Sequence, residues 1–447
     1  EPAAEPAAEP EPEPDYAAPD TKREEEPEEP EMGERRERTV RTLMTLQLVR
    51  QGGMALRMAT DMEIWMRAYA GDPAGQANAQ AIVGSLSSAV AFVSTPIVGG
   101  LSDAYGRRSM MLMGQLTSTV ISALMTWRPT VPVLVVRHVF MHLTASPYET
   151  GEKMMIADMF RDDPGAYGQS NARCQMLGQV MMIAGPVLGA RLASSSLRLP
   201  WAVNTVTCIV GALMVQLLLD ETLPPCKRVP FRWSHSSPLS FMELFRRGAK
   251  MRAYVLVHVW QSLTRTPQFG PFGYDDMHLQ TLFNWSLEQR GFYNSFQSLC
   301  SVPGSWVAGK LLQKFEPDRV LYIGQVLASL SEALKGLSTK PWHFYASRPL
   351  YGLSGYTGVL MTSMSYTATA VGAECGVPEG QLQSSLATLQ TICRVVSPML
   401  WSPIYAFGLR SGRPGLFYFV SAGAGVLQLF LLRVLACTAA PPKSRRK

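Results

Sequence analysis

Cysteine is scarce in this chain of 447 residues: seven are scattered along it and no two form a CxxC pair. Cys174, Cys208, Cys300 and Cys393 sit inside apolar runs, where they read as small core residues, so neither a disulfide frame nor a zinc site is expected. A complete phosphate loop is also missing. "GSWVAGKL" (304–311) approaches G-x-x-x-x-G-K-[ST] but puts Leu311 where a hydroxyl would hold magnesium, which argues against ATP as a driver. No nucleophile–base–acid constellation appears, so no enzyme activity, cofactor or metal is expected. The basic clusters flank apolar segments, which fits membrane topology and argues against nucleic acid. No signal-peptide pattern opens the chain; it starts on Glu1 instead of Met, and is therefore expected to be a piece, or a processed form, of something longer.

Charge is unevenly spread. Residues 1–38 hold fifteen acidic and five basic residues, leaving 36 basic and 20 acidic for the rest. The opening "EPAAEPAAEPEPEPDYAAPD" has almost nothing apolar to bury, so residues 1–38 are expected to be a disordered acidic tail.

After the tail come apolar segments of about the length that crosses a bilayer as helix. Eleven are expected, near 79–101, 108–127, 131–159, 169–192, 200–220, 251–270, 291–313, 320–338, 342–371, 382–408 and 415–437. A twelfth, 42–69, carries Arg50, Arg57, Asp61 and Glu63, each costing about 2.5–3.5 kcal/mol at mid-bilayer on insertion scales. It reads either as a span with a functional polar face or as a surface helix. Lys and Arg gather in alternate loops, at Arg107/Arg108, at Lys227 to Arg247 and at Lys310 to Arg319, and again in the closing "KSRRK". That side, with both termini, is expected to be cytoplasmic.

The chain also repeats itself. "VGGLSDAYGRRSMMLMGQ" (98–115) aligns with "AGKLLQKFEPDRVLYIGQ" (308–325) at an offset of 210; Pro186 falls on Pro398 at 212 and Arg137 on Arg348 at 211. Several matches in order at one spacing indicate a duplicated half, parallel to the first. Six spans per half follow, which favours counting 42–69. The expected division is a first half at 39–220, a connecting loop at 221–250, a second half at 251–437 and a basic tail at 438–447.

"GGLSDAYGRR" (99–108) resembles the loop signature of the major facilitator superfamily, G-x-L-[SA]-D-x-x-G-R-[RK]. Arg137 in "VVRHVF" is similar to the arginine of that family's fourth span, "IAD" (156–158) to the acid ending it, "GPVLGA" (185–190) to the fifth-span motif, and "ETLP" (221–224) to the end of the sixth. Residues 380–408 resemble the eleventh span of tetracycline/proton antiporters. Met141 departs from the family's glycine, and Gln313 replaces the acid in the second copy of the loop. The resemblance implies an all-α membrane protein of two six-helix bundles, with 11–12 transmembrane helices. It further implies a secondary transporter moving a small solute, drug or metabolite, by alternating access, with protons as the candidate coupling ion. The alternative is a transporter-like receptor or scaffold that moves nothing. A lipid bilayer and a small-molecule substrate are the expected partners, and a monomer the expected state.

Within that frame, Gly99 and Gly106 permit a tight turn, Asp103 suits the positive start of the third span, and Arg107 and Arg108 can pair with Asp103 and Asp158. The resemblance implies that this cluster latches the outward-facing state. Arg137, deep in its span, is expected to face a central cavity and to serve substrate binding or proton coupling, with a structural ion pair as the other reading. Arg348 and Arg394 raise the same question. Asp61, Glu63, Glu149, Glu152 and Glu332 are candidate coupling acids. Gln175, Gln179, His258, Asn294, Gln297, Tyr351 and Gln390 are candidate cavity residues. Gly185, Pro186 and Pro398 are expected to shape and kink their helices.

Overall fold

The computed structural model describes residues 29–144, 146–160, 164–228, 230–231, 240–269, 274–354, 359–377 and 379–439. Fifteen α-helices account for nearly all of them, and no strand occurs among the described residues. In the first half they are α1 (Glu29–Ala68), α2 (Pro73–Tyr105), α3 (Arg107–Trp127), α4 (Val131–Thr144), α5 (Ser146–Met159), α6 (Pro164–Ser195) and α7 (Arg198–Leu218). In the second they are α8 (Ala249–Phe269), α9 (Tyr274–Phe283), α10 (Leu287–Lys314), α11 (Pro317–Gly336), α12 (Pro341–Ser354), α13 (Val359–Glu374), α14 (Glu379–Arg410) and α15 (Leu416–Ala439). The pairs α4/α5, α8/α9 and α12/α13 each complete one pass, which gives six passes per half.

The packing repeats between halves. In the first, α1 packs on α6 and α7, α3 on α7, and α2 on α4; in the second, α8 packs on α14 and α15, α11 on α15, and α10 on α12. The halves meet through α2 against α14 and α6 against α10. This is the arrangement of two parallel six-helix bundles that the resemblance implied. With an even number of passes, the start of α1 and the end of α15 share one end of the bundle, here called the terminal end. The Arg35–Asp220 contact at 3.8 Å ties the start of α1 to the exit of α7 there.

The radial pattern is the reverse of a soluble protein. Large apolar side chains such as Leu217, Phe430, Ile82 and Val93 are exposed at 60–75 %, while Arg137, Arg348, Lys335 and Glu332 are buried. A lipid belt makes that distribution favourable, because the bilayer solvates apolar surface and leaves charge to the interior.

By length and composition alone, five helices among the described residues are apolar enough to cross a membrane: Pro73–Tyr105, Met176–Ser195, Arg198–Leu218, Ser385–Arg410 and Leu416–Leu435. Others fall short because they carry the buried charges or are delivered as two shorter helices. The tail ends earlier than the expected residue 38: α1 begins at Glu29, since no proline follows Pro30 until Pro73 and helix-favouring Glu and Arg fill the interval, with Glu37 and Arg41 paired one turn apart at 2.6 Å. Residues 1–28 and 440–447 lie outside the described residues.

Pro186 and Pro398 both stand inside unbroken helices, α6 and α14. Around Pro186 the packing is very close. A methyl group at Gly185 or Gly189 would fall on Ala55 and on the Leu56 carbonyl of α1, and one at Gly291 of α10 would sit 2.8 Å from the Pro186 carbonyl. Gly99 has no such neighbour within 4 Å, so a methyl group there would meet open space. Gly189→Val should therefore cost about 1–3 kcal/mol or more through backbone displacement. It should lower the melting temperature in detergent, whereas Gly99→Ala should leave it unchanged or slightly raised.

Candidate functional site

The α2–α3 turn is built around Gly106, whose φ of 95° lies in the region that favours glycine. A side chain there would also collide with the Glu221 carboxylate. Glu221, just past α7, accepts from the backbone N–H of Arg107 (3.0 Å) and Arg108 (3.2 Å), and so caps the free start of α3. The expectation for Asp103 is thereby corrected: it sits in the last turn of α2, and the acid on the helix start comes from "ETLP". Arg107 bonds Asp103 (2.6 Å), Asp158 (3.1 Å) and Ser102 (3.2 Å). Arg108 pairs with neither acid; it donates to the Val215 (3.2 Å) and Gln216 carbonyls at the end of α7, where a cation suits the helix dipole. All these bonds join segments of the first half. Among the described residues, the cluster joins α2, α3, α5 and α7 into one body.

Deeper lies a charge centre of the first half. Arg137 of α4 is ion-paired with Asp61 of α1, which also receives Arg57 at 3.2 Å. Trp201 of α7 lies under both guanidinium groups, at 5.2 Å from Arg137 and 5.0 Å from Arg57. Arg137 is 5 % exposed, and its Nε and Asp61 Oδ1 are buried without partners, so neither group is fully satisfied. Of the two readings of Arg137, the geometry is the ion pair, with Asp61 as its partner.

The second half repeats the motif. Arg348 of α12 is ion-paired with Asp275 of α9, and its guanidinium stacks on Tyr293 (4.5 Å) and Tyr351 (5.1 Å). Lys335 of α11 adds a contact to Asp275 at 3.3 Å and holds Glu332 at 2.9 Å, while the Tyr418 hydroxyl donates to Asp275 at 2.7 Å. In each half, then, an acid on the first pass meets an arginine on the fourth. Asp275 went unpredicted because "YDDMHLQTLF" is too polar to read as membrane helix and the seventh segment was ended at 270. The repeat carried the signal: Asp61 and Asp275 are 214 residues apart, close to the offset of Arg137 and Arg348.

A third set of contacts joins the halves at the end opposite the termini, the far end. Arg290, at the start of α10, pairs with Glu63 of α1 at 2.6 Å, and Ser402 of α14 donates to Asn78 of α2 at 2.6 Å. Around them one apolar cluster combines Met62, Met66 and Ala77 of the first half with Tyr274, Trp285, Phe344, Trp401 and Tyr405 of the second. The clusters at the terminal end, around Met111 and Tyr148 and around Tyr254 and Leu382, each belong to one half.

Other candidates fall elsewhere. Glu149 pairs with Arg50 at 3.2 Å, Glu152 is buried, and Arg394 is half-buried on α14 outside both centres. Asn294 bonds Asp276, and the His258 ring nitrogen meets the Leu386 carbonyl at 3.3 Å. Gln179, Gln297 and Gln390 are half-buried, and the Gln175 and Met141 side chains lie outside the described residues.

A bundle with an apolar exterior, buried ion pairs repeated in two halves and a seam between them defines a multi-pass transporter fold. The family model of the Major Facilitator Superfamily matches residues 58–398, and the chain belongs to that superfamily. It is 25 % identical over 355 residues to the class C tetracycline resistance protein of Escherichia coli, covering 78 % of this chain and 85 % of that protein. Among solved structures, the human organic anion transporter MFSD10 (TETRAN) superposes with a TM-score of 0.65 at 18 % identity, covering 89 % of this chain and 99 % of that one. The nucleoside transporter NupG gives 0.68 at 12 % identity, covering 89 % and 99 %. These superpositions establish the fold.

Replacing Glu221 by Ala should remove the α3 cap at a cost of about 0.5–2 kcal/mol. A lower melting temperature in Glu221→Ala than in Asp103→Ala, measured in the same detergent, is the expected ordering.

Proposed function

We propose that the chain is a secondary active transporter that exports a small organic solute, drug or metabolite, by alternating access in exchange for protons. The observation that carries this reading is the repeated acid–arginine pair, Asp61–Arg137 and Asp275–Arg348, whose arginines are buried at equivalent positions of two parallel halves. A carboxylate held by a cation inside a membrane loses its partner's attraction when protonated, so binding or release of a proton changes the energy of the local arrangement. Two such centres, one in each rigid half, provide a physical route from proton binding to relative movement of the halves. The likeness to a tetracycline resistance protein supports a drug-like substrate and outward movement.

In this reading the terminal end faces the cytoplasm and a single chain is the working unit. The conformation is closed at the far end, where the shared apolar cluster, the Glu63–Arg290 pair and the Asn78–Ser402 bond lie. The Arg107 cluster then acts by keeping the first half rigid as it rotates. Gly185 and Pro186 provide the tight seam that α10 moves along, and Pro398 occupies the equivalent place on α14.

The test is transport by the full chain in proteoliposomes, with an imposed pH gradient and a panel that includes tetracycline. Gradient-driven movement of a panel member is expected. Asp61→Asn or Arg137→Ala should reduce it by about tenfold or more, corresponding to at least about 1.4 kcal/mol of lost coupling. Saturable binding without movement in any gradient would instead identify a non-transporting receptor or scaffold.

A further inference from the structure

We propose that Arg290 is a two-position cation and that Asp276 is its second partner, so that protonation of Asp276 sets the far-end gate. This deepens the proton-coupled reading above and rests on it. In the present arrangement Arg290 crosses the seam: its Nη2 donates to Glu63 Oε2 at 2.6 Å. The rest of its fork is poorly used. Nη1 meets only the Met66 sulfur at 3.0 Å, a weak acceptor, and Nε is buried without a partner, on a residue 3 % exposed. A guanidinium with idle buried donors bears a cost that a second carboxylate would relieve.

That carboxylate stands one turn away. Asn294 follows Arg290 by four residues on α10, so both side chains lie on one face. Its Nδ2 lies 3.1 Å from each oxygen of Asp276, at the start of α9 in the same half. This amide is the neutral donor holding Asp276, whereas its neighbour Asp275 has Arg348, Lys335 and Tyr418. The charged and titratable groups that act on Asp276 are Asp275 on its own helix, Arg290 and Tyr293 on α10 and Arg348 on α12; Lys335 on α11 meets the neighbouring Asp275, and Glu63 with Arg67 on α1 lies beyond Arg290. Arg67 shares Glu63 from its own helix at 2.9 Å, so Glu63 keeps a cation when Arg290 leaves.

The switch follows from these partners. When Asp276 carries a proton taken from solution, it presents no charge to Arg290, which stays on Glu63 and holds the halves together at the far end. When that proton is released, the charged Asp276 draws the idle side of the Arg290 fork into its own half. The only ion pair that the described residues place across the seam then weakens, and the far end opens. One carboxylate of the second half thereby converts release of a proton into loss of a contact with the first.

The test is a distance measurement that needs no substrate. Cysteines at the exposed far-end positions Ala70 and Lys340, in a chain with its native cysteines replaced, take nitroxide labels. Pulsed electron spin resonance then reads the distance in nanodiscs from acid to alkaline pH. The short distance should dominate in acid and give way to a longer one as pH rises, with the open-to-closed ratio changing by up to about tenfold per pH unit for one linked proton. Asp276→Asn should hold the short distance at every pH, Glu63→Gln should favour the long one throughout, and Asp276→Glu should restore the response. A normal pH response in Asp276→Asn, or none in the parent chain, would overturn the switch. Gradient-driven uptake by the same parent protein reports separately on whether it transports.

Discussion

Everything in this bundle is arranged around the cost of holding charge where water is absent. An unpaired arginine or carboxylate inside a membrane is expensive, and breaking a buried pair by removing one partner is more costly than never having had the pair. The chain answers with acids supplied by one helix to cations on another, so that several charges become ties between helices. Asp61 ties α1 to α4, Asp275 ties α9 to α11 and α12, and Glu63 ties α1 to α10. These ion pairs join helices that are separate in the chain.

The two halves solve this problem unequally. The first half keeps a lean centre, one acid between two arginines over a single tryptophan. The second surrounds its acid with a lysine, an arginine, a tyrosine hydroxyl and stacked rings. Aromatic faces are a way of stabilising a cation without adding another charge, and Tyr293, Tyr351 and Tyr418 do this for Arg348 and Lys335. The shared apolar cluster at the far end is composed largely of aromatic residues of the second half.

Much of the architecture was legible in the sequence because it rests on local signals. The glycine-flanked acidic and basic turn, the offset near 211 and the closing "ETLP" are short patterns with physical causes, and they led to the family and the paired halves. Partner assignments were far less legible. Arg108 looked like a match for an acid, but carbonyls at the end of α7 come closer; Asp103 looked like a cap, but Glu221, over a hundred residues away, reaches the helix start first. Asp275 and Arg290 were missed for the same reason that they are informative. A polar stretch at a membrane entrance lowers the apolar signal that marks a span, so the residues that carry the chemistry hide the helix that carries them.

Glu221 also has a mechanical consequence. Its carboxylate is bonded to the start of α3 and to the Leu223 N–H at 3.1 Å, and Thr222 reaches Asp158 at 3.5 Å. The first residues of the connection between the halves are therefore fastened to the first half as firmly as its own helices are. The slack available to that connection begins only beyond Leu223, and the free length joining the two halves is shorter than the number of residues between α7 and α8 suggests.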